Sequence, residues 1–447
     1  MTTVIDGCHV VTMDDSRTEH ESGHVVVEGN RIVAVGAGAA PATPGARVVD
    51  GSGCLLTPGL INTHHHLYQW VTRGQAVDGT LFEWLTTLYP VWAHIDERSV
   101  GVSAQAALAW LARTGCTTSS DHHYVFPREG GDLFAAEIDA ARAVGIRFHP
   151  CRGSMDLGRS AGGLPPDSVV EDRDAALAAT EAAIDRWHDP APDAMVRVAV
   201  APCSPFTVTA ELMREAAELA RRRGVLLHTH LAETVEEEDY CRERYGRSSL
   251  EYAAALGWLG EDVWFAHAIH LDDHGVERVG ESRTGVAHCP SSNARLGAGI
   301  ARTRELRDVR ARVGLGVDGA ASNEASSLLE EVRHAVLFAR ARGGPRALTV
   351  RDGLDLATRG GAAVLGRQAD IGSVETGKLG DLALWRLDTI RHADIPDPVA
   401  ALVLGAPPPL ELLLVNGEPV VERDRVVTVD EDELARAAAT VSQSLLR

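Results

Sequence analysis

Histidines one residue apart occur twice in this sequence, as His64 and His66 within LTPGLINTHHHLYQ and as His228 and His230 within VLLHTHLAE. On an extended strand, alternate side chains share a face, so His64 and His66 point one way while His65 points the other. A neutral imidazole ligates a borderline cation such as zinc at about 2.0–2.1 Å, and two rings on one face can share an ion. An isolated pair could equally cap a strand, so the weight falls on what lies downstream. Glu233 stands three positions past His230, where the strand should pass into its loop. His267 ends the run VWFAH, His288 ends TGVAH, and Asp318 follows VGLGV ahead of the small residues GAAS.

A lone strand-end histidine is usually a hydrogen-bonded core or surface group, and an Asp before Gly is usually a turn former. Six such groups at the ends of separate predicted strands carry more than any one alone. His64, His66, His230 and Asp318 make a set of three nitrogens and one carboxylate with room for water, which suits an open catalytic centre better than a closed structural one.

The elements that must position these groups can be read from the rhythm of the chain. Between about residues 57 and 366, apolar strand candidates (115–123, 146–153, 196–204, 225–233, 263–270, 284–290 and 313–322) alternate with Ala-rich amphipathic stretches such as DLFAAEIDAARAVG (132–145) and TAELMREAAELARRRG (209–224). That alternation predicts a parallel α/β fold, and the count fits an eight-stranded (β/α)8 TIM barrel with its polar residues at the C-terminal strand ends. No Gly-rich dinucleotide fingerprint follows a strand. Both chain ends instead read as short strands and hairpins, with Gly29-Asn30 and Asn416-Gly417 as turn signals. They are expected to join in one small sheet domain, residues 1–56 with 367–447, flanking a barrel of 57–366.

Composition narrows the partners. The 447 residues carry a net charge of −20, and no run of five Lys and Arg occurs, so a surface that neutralises phosphates is not expected. The seven cysteines lie singly, as in a reduced compartment. There is no basic, apolar leader and no apolar run near 18 residues, and a cytoplasmic protein without membrane contact is expected.

PGLINTHHH, HTHLAE, FAHAIH and GVDGAASN resemble the motifs of the amidohydrolase superfamily over nearly the whole chain, and in particular its one-metal aminohydrolases. The resemblance implies that the (β/α)8 TIM barrel is distorted and that the domain made by both chain ends is a β-sandwich. It also implies one divalent ion, Zn2+ or Fe2+, on His64, His66, His230 and Asp318, with Asp318 as base and Glu233 and His267 handling protons. VRVAVAPCSPF supplies neither the lysine nor the glutamate that bridges a second ion in two-metal members. The PCxxC class of zinc deaminases is absent too, since Ser-Pro-Phe follows Pro202-Cys203.

NTHHHLYQ, TGCTTSSDHHYVFP, GIRFHPCRGSMDLGRSAGGLPPD and APCSPF are most similar to bacterial deaminases of oxidised purines. This implies hydrolytic deamination of a small heterocycle such as 8-oxoguanine, by a homo-oligomer. Isoxanthopterin or guanine deamination, s-triazine hydrolysis and, more remotely, a non-catalytic assembly role are the alternatives.

Selectivity is open at this level. Gln69 reads a purine edge or caps a helix, Arg152 faces a ring carbonyl or pairs with a nearby acid, and Cys203 touches substrate or fills core. The segment 74–92 walls the site or packs on it. The Gly- and Pro-rich stretch 154–167 is a lid or a plain surface loop.

Overall fold

A computed structural model describes residues 1–447. Eight parallel strands close into a barrel: Leu60–Asn62, Cys116–His123, Arg147–Ser154, Ala199–Pro202, Leu227–Leu231, Val263–His267, Gly285–His288 and Arg312–Leu315. Each pairs with the next in sequence and the eighth pairs with the first, as in the registers Leu231↔His267 and Leu315↔Asn62. Every residue of the second strand, CTTSSDHH, is buried, because a parallel strand is covered on both faces. The main apolar core fills the space between barrel and helices.

The Ala-rich stretches are helices with the ends their sequences specify. Asp132 accepts a hydrogen bond from the Ala135 amide at 3.0 Å to start Leu133–Val144. Gly145 closes that helix at φ +83°, a conformation that costs a residue with a Cβ. Thr209 caps Ala210–Arg223 in the same manner.

The chain ends share one mixed nine-stranded sheet. Its seam is the strand Cys54–Pro58, parallel to Thr2–Val11 on one side and antiparallel to Leu382–Arg386 on the other. Both expected hairpins are present, Glu19–Glu28 with Arg31–Ala37 and Leu410–Val415 with Glu418–Glu422. One face of the sheet encloses a core of its own, including Ile5, Val25, Leu56, Leu384 and Leu412. Arg147, fully buried in the third barrel strand, forks Asp381 at 3.0 and 3.1 Å and so fastens the barrel to this sheet. A planar guanidinium on a carboxylate is the pairing geometry best able to offset desolvation.

Candidate metal centre

The first barrel strand stops at Asn62, and Thr63 and His64 belong to no strand. This differs from the continuous strand expected across the histidines, and it has a local cause. Asn62 uses its side chain to accept the Val317 amide at 2.9 Å and to donate to Ser119 at 3.0 Å, which pins the strand end to its two neighbours. Beyond it, His65–His66 form a short parallel bridge with Asp318–Gly319, and the Asp318 amide donates to the His64 carbonyl. A Cβ on Gly316 would meet that of His64 at 2.7 Å, so only glycine lets the eighth strand pass this close. His64 and His66 still face one point despite the interruption.

That point is defined by protons. The Nδ1 of His66 donates to the His122 carbonyl at 2.7 Å and the Nδ1 of His230 donates to the Cys203 carbonyl at 2.7 Å. His64 gives its Nδ1 proton to His228 Nε2 at 2.8 Å. Each ring therefore turns an unprotonated Nε2 inward. Burial holds His64 and His230 well below the ordinary histidine range, so both are neutral. The His66 and His230 Nε2 atoms are 3.1 Å apart, and Asp318 Oδ1 is 3.2 Å from the Nε2 atoms of His64 and His66.

Ligand atoms bound to one ion at about 2.1 Å sit about 3.0–3.4 Å from each other. Lone pairs this close, with no proton between the His66 and His230 nitrogens, repel unless a cation lies among them. The donor set thus fits one divalent ion. His267 also comes near His64 and Asp318, but its Nδ1 is hydrogen-bonded to Asn293 at 2.9 Å and its Nε2 faces Glu233 at 3.6 Å. His288 is buried, held down to about 3 by burial, and lies off the site wall.

Asp318 and His267 both sit in the left-handed region, at φ +63° and +72°. Such backbone costs about 1–3 kcal/mol per residue and persists only where the surroundings enforce it. For Asp318 those surroundings include Ser292, whose hydroxyl donates to Oδ2 at 2.5 Å. Burial acts to raise the Asp318 carboxyl, whereas the Ser292 hydroxyl and a cation held among the imidazoles favour its ionised form. Glu233 moves the other way, raised well above the carboxylate range by burial and by the Asp318 charge. The two carboxyls are therefore split, one ionised and one carrying a proton, as an acid and a base require.

A pocket with a cavity volume of about 30 Å³, partly open to solvent, lies over these groups. His66, His230, Glu233, His267 and Asp318 line its floor. Leu81, Trp84, Leu85 and Tyr89, all from the helix Leu81–Trp92, form one wall, opposite Cys203, Ser204 and Phe206. The segment 74–92 thus contributes a wall, anchored where the Trp84 indole donates to the Ala321 carbonyl at 3.0 Å.

Of the three expected substrate contacts, only Cys203 lines the pocket; burial pushes its thiol up to about 12. Arg152 lies off the pocket wall. Its guanidinium donates to both oxygens of Glu171, at 2.6 and 2.7 Å, and lies on the Phe126 ring. Gln69 is fully buried against Gly319 and lies off the wall, with both polar atoms unpartnered. In the stretch 154–167, Asp156 accepts from the Thr209 amide and Ser160 donates to Asp167, and none of its residues lines the pocket. Ser292 and Asn293 were not singled out from sequence. The signal available was the polar run Ser291-Ser292-Asn293, beginning three positions past the strand-end His288.

The chain matches the amidohydrolase family over residues 55–420. It is 47% identical to 8-oxoguanine deaminase of Pseudomonas aeruginosa over 89% of each chain. It is 38% identical to isoxanthopterin deaminase of an unknown prokaryotic organism, over 94% of this chain and 91% of that one. Among solved structures, atrazine chlorohydrolase of Arthrobacter aurescens TC1 complexed with zinc superposes with a TM-score of 0.93 at 32% identity, covering 98% of this chain and all of that one. Barrel, terminal sheet and metal-fitting histidines agree with these likenesses, and the chain belongs to the amidohydrolase family.

Proposed function

We propose that this protein deaminates 8-oxoguanine by hydrolysis, giving urate and ammonia, with His64, His66, His230 and Asp318 holding one divalent ion, Zn2+ or alternatively Fe2+. The observation that carries the chemistry is the approach of His64 and His66 Nε2 to Asp318 Oδ1 at 3.2 Å, with His230 Nε2 at 3.1 Å from that of His66, beside Glu233, whose carboxyl is raised well above the usual range by burial. The 47% identity to an 8-oxoguanine deaminase supports the substrate. When bound, such an ion lowers the pKa of water from about 16 toward about 7 and so supplies a nucleophile at neutral pH.

The residues of the chain do the rest. Asp318, ionised, accepts the proton of the attacking water. Glu233 hands its proton to the ring nitrogen next to the attacked carbon, which cancels charge that would otherwise build on the heterocycle. His267, oriented by Asn293, steadies the new oxygen by a hydrogen bond. The proton held by Asp318 passes to the exocyclic amine, the C–N bond breaks so that ammonia leaves, and the proton of the added hydroxyl returns to Glu233 as the carbonyl forms. The apolar wall of Leu81, Trp84, Leu85 and Phe206 suits the faces of a flat ring and keeps bulk water from the reacting atoms.

No helix is long and apolar enough to cross a membrane, and we place the enzyme in the cytoplasm as a homo-oligomer, with residues 57–366 as catalytic unit and 1–56 with 367–447 as the sheet unit. Ammonia release from 8-oxoguanine, guanine, isoxanthopterin and an aminotriazine, beside elemental analysis, tests the reading. We expect 8-oxoguanine to lead with kcat/KM near about 10⁵ M⁻¹s⁻¹. A larger value on isoxanthopterin or the triazine would overturn the substrate assignment, and loss-free activity without metal would overturn the chemistry.

A further inference from the structure

His64 differs from the other two histidines of the centre in what holds its outer nitrogen. His66 and His230 lean on backbone carbonyls, which no substitution removes. His64 leans on a side chain, that of His228. The proton positions along this contact are determined. His228 Nδ1 lies 3.0 Å from the Trp264 carbonyl, which can only accept, so that nitrogen carries the proton. His228 Nε2 is then an acceptor, and the proton of the 2.8 Å contact belongs to His64 Nδ1. His64 Nε2 is left with its lone pair, directed toward Asp318.

Trp264 closes the arrangement into a circuit. Its indole ring stacks on His228, with centroids 4.3 Å apart and planes at 14°. Its indole N–H donates at 3.1 Å to the carbonyl of Thr63, the residue before His64. One tryptophan therefore fixes the tautomer of His228 by its carbonyl, the plane of His228 by its ring, and the backbone leading into His64 by its nitrogen. All four residues are fully buried, and His228 lies off the pocket wall, so it has no access to substrate.

We propose that His228 is a positioning residue which, held by Trp264, sets the tautomer and ring plane of His64 and thereby tunes metal affinity. This rests on the reading of the centre as a metal site. A partner on the outer nitrogen of a ligating histidine fixes its orientation and raises its basicity, and removing one typically lowers metal affinity about 10- to 100-fold.

His228→Leu keeps the bulk and loses the acceptor, whereas His228→Gln can offer its amide oxygen where Nε2 stood. The metal-free proteins are titrated with zinc against a chromophoric chelator, and the cobalt-loaded forms are examined for their visible absorption bands. We expect His228→Leu to bind zinc about 10- to 100-fold more weakly with shifted cobalt bands, and His228→Gln to recover most of the affinity. Wild-type affinity and bands in a folded His228→Leu protein would overturn the proposal.

A second measurement needs no variant. Nitrogen-15 histidine spectra of the zinc-loaded wild type should show both His64 and His228 protonated at Nδ1, with Nε2 metal-bound in His64 and bare in His228; the opposite tautomer in His228 would overturn it even if His228→Leu fails to fold. Absence of zinc binding by the wild type would instead remove the metal-centre reading itself.

Discussion

The Nε2 atoms of His66 and His230 face each other across 3.1 Å, each ring having its Nδ1 turned to a backbone carbonyl. Two lone pairs held this way by buried backbone partners are a local cost to the metal-free fold, and a cation converts that cost into two bonds. Chelation should therefore lower the thermal unfolding midpoint, and added zinc should restore it in a concentration-dependent way. Linkage sets the scale at about 2.7 kcal/mol when free metal stands at 100 times its Kd. Scanning calorimetry over a zinc series checks this, and a midpoint indifferent to zinc would contradict it.

Glu233→Gln keeps the shape of the proton donor and removes the proton. Since Glu233 takes no part in the donor set, metal content should stay near one per chain. Turnover should fall by about 10²–10⁴, the usual worth of a positioned proton transfer. Steady-state kinetics paired with metal analysis would reject the role if the variant turned over at the wild-type rate.

Arg152 and Cys203 should separate cleanly. Arg152→Met strands Glu171 beside the Phe126 ring and is expected to cost about 1–3 kcal/mol of stability, with KM unchanged. Cys203→Ala touches the pocket wall and is expected to raise KM. Denaturant unfolding and kinetics on both variants decide the matter; a KM effect confined to Arg152→Met would reverse the assignment.

His123 and Glu137 form a fully buried pair at 2.7 Å beside Asp121. His123 donates from Nε2 to the Val125 carbonyl, so its Nδ1 accepts and Glu137 supplies the proton. Burial pushes Glu137 up to about 8 and His123 down to about 4. The folded chain keeps the Glu137 proton that the unfolded chain sheds above about 4.3, so this stability is full in acid and is lost as pH rises through about 8. His123 works in reverse: the unfolded chain gains a proton below about 6.5 that the folded chain refuses until about 4. The two slopes oppose each other in between, leaving a net fall in stability from pH 6.5 to 8. Glu137→Gln retains a donor to His123 and should flatten that fall; parallel stability curves for the two proteins would discount it.

What was legible in the sequence was what local chemistry encodes. Gly29-Asn30 and Asn416-Gly417 specify hairpins by their own conformational preferences, and Asp132 and Thr209 announce helices by the caps they make. The ligand residues were legible because imidazole pairs at strand ends are chemically unusual. The break after Asn62 was not, because it depends on Val317 and Ser119, which are distant in the chain. Nor was the direction of Arg152, decided by Glu171 and Phe126 in the loops beyond two strands. The wall helix Leu81–Trp92 reads as ordinary core-facing apolar sequence, and only its placement between the first two barrel strands turns four of its side chains toward the pocket.

The seam at Cys54–Pro58 has a bearing on how the chain is made. That strand emerges from the ribosome early, yet its neighbour Leu382–Arg386 comes only after the whole barrel has been synthesised. At about 5–20 residues per second the wait is on the order of tens of seconds. During translation the first hairpins must therefore stand with an unmated edge, and the last strands to appear are the ones that seal it.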